Sequence, residues 1–454
     1  MKAKHEVTLF EFDYLATEGT PKHGSVPPNI KVVSYLAYDY LKQLCLGDES
    51  ESQLLQLRRR DGMEVLQVQN YAGVIFTPDK TQIEVLPKVG KNFNSNGRGS
   101  TDEHEKARQS LLIMLKALKG FAHIQTSSAN ITHQKMPLLE VFISQFLNSV
   151  NELIKRGLKS DYVRQEDNLG FLKGKLNVGK QVRHNFIHKH KFFCEYDEFM
   201  LDRPANRLIH SALLKVKSFA RSSANQKLLQ ELLFVFHEIP KSNDHKLDFT
   251  KLKQERGMNY YQAPLEWCRL ILNGFSPQTM KGSTNAASLL FPMEKVFEDY
   301  VAKVLKAQLA TKRPELTLST QATGQHLATY DNRGKFSLRP DLLIQHGSVN
   351  KVVLDTKWKL LDSSVTHSNI SQSDVYQMFA YAKKYLKPSG IDLSVGKDVV
   401  LIYPWQDNFD DPLEHYYDLD DGHRLWIVPF KICEGQSRLL WPESAELSSM
   451  FYSS

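Results

Sequence analysis

The chain has 454 residues, 41% hydrophobic and 24% charged, which is the composition of a globular protein of two or three domains. No apolar run is long enough to span a bilayer, and MKAKHEVTLFEFDYLA at the N-terminus lacks the apolar stretch and cleavage site of a secretory signal, so no membrane role and a cytoplasmic location are expected. Cys45, Cys194, Cys268 and Cys433 are scattered and form no CxxC pair for zinc, and the net charge of +7 permits nucleic-acid binding without requiring it.

In chain order, VTLFEF, VLQVQNYAGVIFTP and TQIEVLPKV are short apolar or alternating runs that predict a β-rich beginning, the last two joined by a Pro-Asp-Lys turn. KNFNSNGRGS, Lys91 to Ser100, reads as a loop or linker, and KARQSLLIMLKALKG as a helix ending at Gly120. PLLEVFISQFLNSVNELIKRGL has helical spacing up to Gly157, and the basic GFLKGKLNVGKQVRHNFIHKHKFFCEYDEF reads as strands and loops. NRLIHSALLKVKSFARS and NQKLLQELLFVFHEI return to helix. From about Thr284, helix MEKVFEDYVAKVLKAQLA, two strands, helix SDVYQMFAYAKKYL and strands DVVLIYP and LWIVPF predict an α/β domain with a mixed central sheet. The whole is a multi-domain α+β chain: β-rich residues 1–125, a mainly helical middle with a short β segment over 126–283, and the α/β domain over 284–454.

The chemistry gathers in LRPDLLIQHGSVNKVVLDTKWK, Leu338 to Lys359. FSLRPDLLIQ and KVVLDTKWKL flank a turn at His346-Gly347-Ser348, and a hairpin centred near Ser348 sets Asp341 across from Asp355, with Lys357 one pleat along on the same face. Opposed carboxylates repel by several tenths of a kcal/mol or so, and a divalent cation turns that cost into a binding site; a backbone carbonyl, that of Thr356, is a further hard ligand of the kind Mg2+ accepts. By itself D…DxK is better explained by an exposed hairpin with solvated charges. The helix before it buries Val296, Phe297, Tyr300, Val301 and Val304 and leaves Glu298 off that stripe as another metal oxygen, or as a surface charge. Asp374, Gln377 and Tyr381 fall on one face of the helix after it.

The order helix-Glu, strand-Asp, strand-DxK, helix-Gln-x-x-x-Tyr resembles the PD-(D/E)xK nuclease core. Pro340-Asp341 and Asp355-Thr356-Lys357 match its motif, and Gln377-x-x-x-Tyr381 resembles a motif of several of its nuclease branches. GVIFTPDKTQIEVLPK, PLLEVFISQFLNSVNELIKRGL, LKGKLNVGKQVRHN and CEYDEFMLDRPANRLIHSAL resemble, in order, the McrC family, the nuclease subunit of McrBC modification-dependent restriction systems.

The resemblance implies phosphodiester hydrolysis of double-stranded DNA with Mg2+, or Mn2+ in its place, held by Asp341, Asp355, the Thr356 carbonyl and Glu298. Lys357 stabilises developing charge, while Gln377 and Tyr381 position it or the phosphate. Arg339 reaches the DNA backbone or forms a structural ion pair. The stripe Lys173, Lys175, Lys180, Arg183, Lys189 and Lys191, with Phe186 and Phe192 interleaved, reads as a phosphate contact or equally as a solvated sheet face or a partner interface. His184, His188 and His190 have a spacing that admits a metal but lack a Cys pair.

No G-x-x-x-x-G-K-[ST] is present, so no nucleotide is expected to bind this chain itself. The resemblance instead implies a separate McrB-like AAA+ GTPase hexamer, with residues 1–125 as the docking module; Arg98 or Arg58, Arg59 and Arg60 then stimulate GTP hydrolysis, or are solubilising surface charge. Two other readings stay open: an autonomous nuclease with the same core, and a non-catalytic activator or scaffold of the ring.

Overall fold

The computed structural model describes residues 6–18, 27–47, 54–60, 62–89, 101–118, 121, 124, 136–252, 258–272, 288–386 and 397–442. The expected loop at Lys91 to Ser100, with Arg98, and the expected helix end at Gly120 lie outside the described residues. The chain divides into two compact units, one of Met1–Leu138 with Ser276–Ser454 and one of Leu139–Phe275.

The first unit begins with strands β1 (Glu6–Phe10), β2 (Tyr14–Thr17) and β3 (Ile30–Val33), helix α1 (Tyr35–Gly47), strands β4 (Leu55–Arg60), β5 (Met63–Val68), β6 (Tyr71–Phe76) and β7 (Gln82–Leu86), and helix α2 (Thr101–Leu115). The run expected as one, VLQVQNYAGVIFTP, is two strands in two sheets. The Tyr71 N–H turns back onto the Gln69 carbonyl at 2.7 Å, so β5 stays in the sheet β3-β2-β5-β4 and β6 leaves for another. Helix α1 has no counterpart in the sequence reading. The Ser34 hydroxyl accepts the Ala37 N–H at 3.1 Å, and Ala37, Tyr38, Leu41 and Cys45 then recur on one buried face against Leu15, Leu66 and Val68. Each such buried aliphatic side chain stabilises the fold by ~1.5–3 kcal/mol.

The second unit contains α3 (Leu138–Arg156), β8 (Asp161–Leu169), β9 (Lys175–Leu176), α4 (Val178–Asn185), β10 (Phe192–Met200), α5 (Pro204–Val216), α6 (Ser223–Val235), α7 (His245–Thr250) and α8 (Gln262–Leu272). Helix α3 stops where Gly157 takes φ +90, a conformation glycine adopts without cost. β8, β10 and β9 form a small antiparallel sheet. The basic stretch expected as strands and loops holds helix α4, because the Asn177 side chain caps it by accepting the Lys180 N–H at 3.1 Å.

The chain then completes the first unit. β11 (Ser288–Pro292) pairs with β6, giving the sheet β1-β7-β6-β11, and leads into α9 (Met293–Lys312). Val296, Phe297, Tyr300, Val301 and Leu305 are buried along α9 as its periodicity requires, with Val304 half-buried. β12 (Leu316–Thr320), β13 (Gln325–Tyr330), β14 (Arg333–Leu338), β15 (Leu342–His346) and β16 (Val349–Thr356) follow, then α10 (Gln372–Tyr385), β17 (Asp398–Pro404), β18 (Tyr417–Leu419), β19 (His423–Lys431) and β20 (Arg438–Leu439). The central sheet runs β12-β15-β16-β17-β19-β18, with β20 on β19. It is mixed as expected: β16, β17 and β19 are parallel neighbours and the other pairs antiparallel. Its middle strands, VVLD and DVVLIYP, are apolar almost throughout because both of their faces are covered. Met378, Tyr381, Ala382 and Tyr385 of α10 cover one face, over Leu343, Val353, Val399 and Leu401. Among the described residues no helix is long and apolar enough to cross a membrane.

Candidate functional site

The site is built at one end of the β15–β16 hairpin. His346 and Val349 close it around Gly347 at φ +58, and Leu342, Leu343 and Ile344 pair with Leu354, Val353 and Val352. The next positions outward are Asp341 and Asp355, so the expected apposition is present one step past the ladder. The expected strand FSLRPDLLIQ is interrupted at Arg339-Pro340, where proline supplies no ladder N–H; FSL belongs to β14 in a separate hairpin, and Asp341 lies just before β15.

Asp341 is held by its neighbours. Its Oδ2 accepts the Thr356 N–H at 2.8 Å and the Thr356 hydroxyl at 2.6 Å, while Oδ1 accepts from Gln321 Nε2 at 3.3 Å. The same Gln321 amide donates to Glu298 Oε1 at 2.7 Å, which also takes Lys295 Nζ at 2.8 Å. Asp355 is 1% exposed, flanked by β15 and β17. Lys357 Nζ lies 2.5 Å from its Oδ2 as a largely buried ion pair. Burial and then the Asp341 carboxylate push the Asp355 carboxyl up to about 7, against the pull of Lys357. Burial, then Asp341, also raises Glu298.

Burial alone would lower the Lys357 ammonium, but the Asp355 carboxylate outweighs it and raises it. Lys357 Nζ donates to Gln377 Oε1 at 2.9 Å, Gln377 Nε2 to the Tyr381 hydroxyl at 2.7 Å, and that hydroxyl to the Arg339 carbonyl at 2.9 Å. The circuit returns to the peptide that precedes Pro340-Asp341, so both carboxylate-bearing segments are fixed relative to the ammonium. Asp374, on the same helix, is spent elsewhere: Lys359 Nζ donates to both its oxygens at 2.9 and 2.7 Å, and the Tyr403 hydroxyl to one at 3.3 Å. The side chain of Arg339 is exposed.

Three contributors have no signal in the sequence reading. Gln321, at φ +50, joins Glu298 to Asp341 from a loop. Lys359 anchors the start of α10. The third is a pair of buried charges around Trp358, the residue after Lys357. Glu11 accepts the indole N–H at 3.0 Å and the Lys88 N–H at 2.9 Å, and Lys88 Nζ donates to the Trp358 carbonyl at 2.7 Å. Burial raises Glu11 and lowers Lys88, each against the attraction of the other. A lone Glu and a lone Lys at opposite ends of the β-rich region carry no pattern that points to residue 358.

Among the described residues no three His, Cys, Asp or Glu side chains converge as a ready-made metal cage. The donor set still suits Mg2+, which takes one or two carboxylates and fills its other positions with water and phosphate oxygen. Asp341 and Asp355 could supply those carboxylates, and Glu298 stands behind Gln321. His184, His188 and His190 do not gather: His184 stacks on Phe193, and His188 meets His190 edge-on.

In the basic stretch, Lys173 pairs with Glu198 at 3.5 Å and lies over the Tyr196 ring, and Lys180 pairs with Glu166. Lys175, Arg183, Lys189 and Lys191 are exposed, as is Phe186. Arg58, Arg59 and Arg60 lie on the edge strand β4, with Arg58 donating to Gln56 and Arg60 over the Tyr14 ring.

A family profile described as "McrBC 5-methylcytosine restriction system component" matches residues 66–404, well over half of the chain. The chain belongs to this family. Its McrBC relatives include the type IV methyl-directed restriction enzyme EcoKMcrBC of Escherichia coli (strain K12), 24% identical over 148 residues, which are 32% of this chain and 42% of the relative. The chain thus spans about two-fifths of the length of the curated relative that it matches. A chain in the half-complex of Thermococcus gammatolerans McrB AAA+ hexamers with bound McrC superposes with a TM-score of 0.66 at 20% identity, over 94% of both chains, and so shares the fold. A second structure, the T. gammatolerans McrBC complex, matches at a TM-score of 0.48 and 21% identity, over 67% of this chain and 88% of that one.

Proposed function

We propose that this McrBC component is the Mg2+-dependent DNA endonuclease subunit of a GTP-dependent, modification-dependent restriction complex in the cytoplasm. The observation that carries the proposal is the buried Asp355, set beside Asp341 and ion-paired to Lys357. A scaffold has no physical use for a buried carboxyl raised by its burial and by a second carboxylate set against it; a phosphodiesterase does. Asp341 and Asp355 would hold the metal together with the Thr356 carbonyl, and Glu298 acts next to it through Gln321. Bound there, Mg2+ lowers the pKa of a water and offsets phosphate charge. Lys357, fixed by Gln377 and Tyr381, directs its ammonium at charge developing on the scissile phosphate. Thr356 keeps the Asp341 carboxylate from turning away.

The partner in this reading is a McrB-like AAA+ GTPase hexamer, supported by the solved relative, McrC bound to McrB AAA+ hexamers. Residues 1–125 would dock to it, with the exposed arginines Arg58 and Arg59 or Arg98 stimulating GTP hydrolysis, and residues 284–454 would cut. Lys175, Arg183, Lys189, Lys191 and Arg339 would contact DNA phosphates. The test is plasmid cleavage with Mg2+, with and without the GTPase partner and GTP. Cutting in the complete mixture alone supports the complex; efficient cutting by the isolated chain favours an autonomous nuclease, and no cutting in either favours the scaffold.

A further inference from the structure

Between Gln321 and Asp341 the chain leaves the central sheet, runs out as β13, turns, and returns as β14, a two-stranded ribbon that is a sheet of its own. Its turn, Asp331-Asn332 at φ +51 and +57, is the left-handed pair that closes a tight hairpin between Tyr330 and Arg333. Every residue from Leu327 to Ser337 is exposed, including Leu327, Tyr330 and Phe336 at 50, 76 and 75%. A lone two-stranded hairpin is marginal in water, and a fold has no internal reason to hold large apolar side chains in solvent on one.

The base of the ribbon is nonetheless tied down. The Tyr385 hydroxyl sits between the carbonyls of Ala322 and Leu338, at 3.0 and 2.8 Å, joining its two legs. Just below, the Gln321 N–H donates to the Asp341 carbonyl at 2.9 Å. The legs therefore end at the two residues that hold the carboxylate site, one on each side. Between those ends the charges are Arg333, Lys335 and Arg339 against the single carboxylate of Asp331. Among the described residues neither Arg333 nor Lys335 has an acidic partner.

We infer that the β13–β14 ribbon is the DNA-engaging arm of this site and takes duplex DNA, its cations on phosphates and Tyr330 and Phe336 against the groove. A two-stranded β ribbon fits the major groove, and phosphate contacts fix register on the duplex. Duplex DNA is favoured over a second copy of the chain because the surplus charge is positive and the arm springs from the place where a scissile phosphate must lie. The inference rests on reading Asp341, Asp355 and Lys357 as a phosphodiesterase site.

The experiment is anisotropy of a fluorescein-labelled duplex titrated with the full chain, alone and with its GTPase partner, in an Asp355→Ala background that blocks cutting. Arg333→Ala/Lys335→Ala should weaken binding about tenfold at low salt. It should also flatten the slope of log affinity against log salt by about 2, one phosphate per cation, with the melting temperature unmoved. Arg333→Lys should restore its share. Unchanged affinity and slope, absence of duplex binding by the parent, or loss of chain–chain or partner association in place of DNA binding would each overturn the inference. The site reading fails separately: cleavage that survives Asp355→Ala sinks it, whatever the ribbon variants do.

Discussion

Two stretches of this chain, Arg339 to Lys359 and Lys173 to Lys191, dispose of their charges in opposite ways. In the first, Asp355 is buried beside a second carboxylate, and its ammonium partner is tied to a glutamine and a tyrosine. In the second, Lys173 and Lys180 lie near the surface, paired with Glu198 and Glu166 of neighbouring strands. Charges that meet opposite charges in water cost little and change little. A carboxylate kept dry beside a second carboxylate is costly, and a fold retains it where chemistry repays the cost.

Substitutions at both places sharpen this contrast. Asp355→Asn removes the buried charge with almost no change in shape, and plasmid cleavage in the complete complex should fall about a thousandfold while the melting temperature holds or rises. Glu11→Gln tests the support under Trp358: it leaves the Lys88 ammonium buried without its counter-charge, and urea unfolding should register a loss of about 3 kcal/mol. Lys357→Ala should slow cleavage about a hundredfold and leave stimulation of the partner's GTPase intact, as GTPase assays on the same preparation would check.

Stability against pH gives a smaller signal with a definite sign. The folded Asp355 carboxyl, at about 7, lies above its ordinary value of 3.8. Between those values the folded chain binds more protons than the unfolded one, so stability is lost as pH rises through that window. Melting curves without divalent cation should show this decline, and Asp355→Asn should flatten it. Smallest of all, Lys180→Ala in the second stretch should shift stability by ~0–1 kcal/mol, as a surface pair does; a large loss there would erase the contrast.

Much of the site was readable because it is local. The apposition of Asp341 and Asp355 follows from a turn and a ladder within one hairpin, and the α9 stripe from helical spacing of Val296, Phe297, Tyr300 and Val301. Helix α4 escaped notice because it is eight residues long, set among glycines and lysines, and declared mainly by its Asn177 cap. The pairing of β6 with β11 joins segments some two hundred residues apart, and the links of Gln321 to Glu298 and of Glu11 to Trp358 exist only once the chain has folded. No periodicity or spacing encodes such contacts. The break at Pro340 was legible in principle, since a proline inside an expected strand argues against continuity.

The central claim is that the Asp341–Asp355–Lys357 cluster is where DNA is cut. The most direct measurement is the rate at which supercoiled plasmid is converted to linear by the complete mixture of chain, GTPase partner, GTP and Mg2+, using wild type and Asp355→Asn side by side. Wild type should convert the plasmid and the variant should not do so above background, with GTP turnover unchanged. Equal conversion by both would contradict the claim and return the hairpin to the role of an ordinary pair of strands.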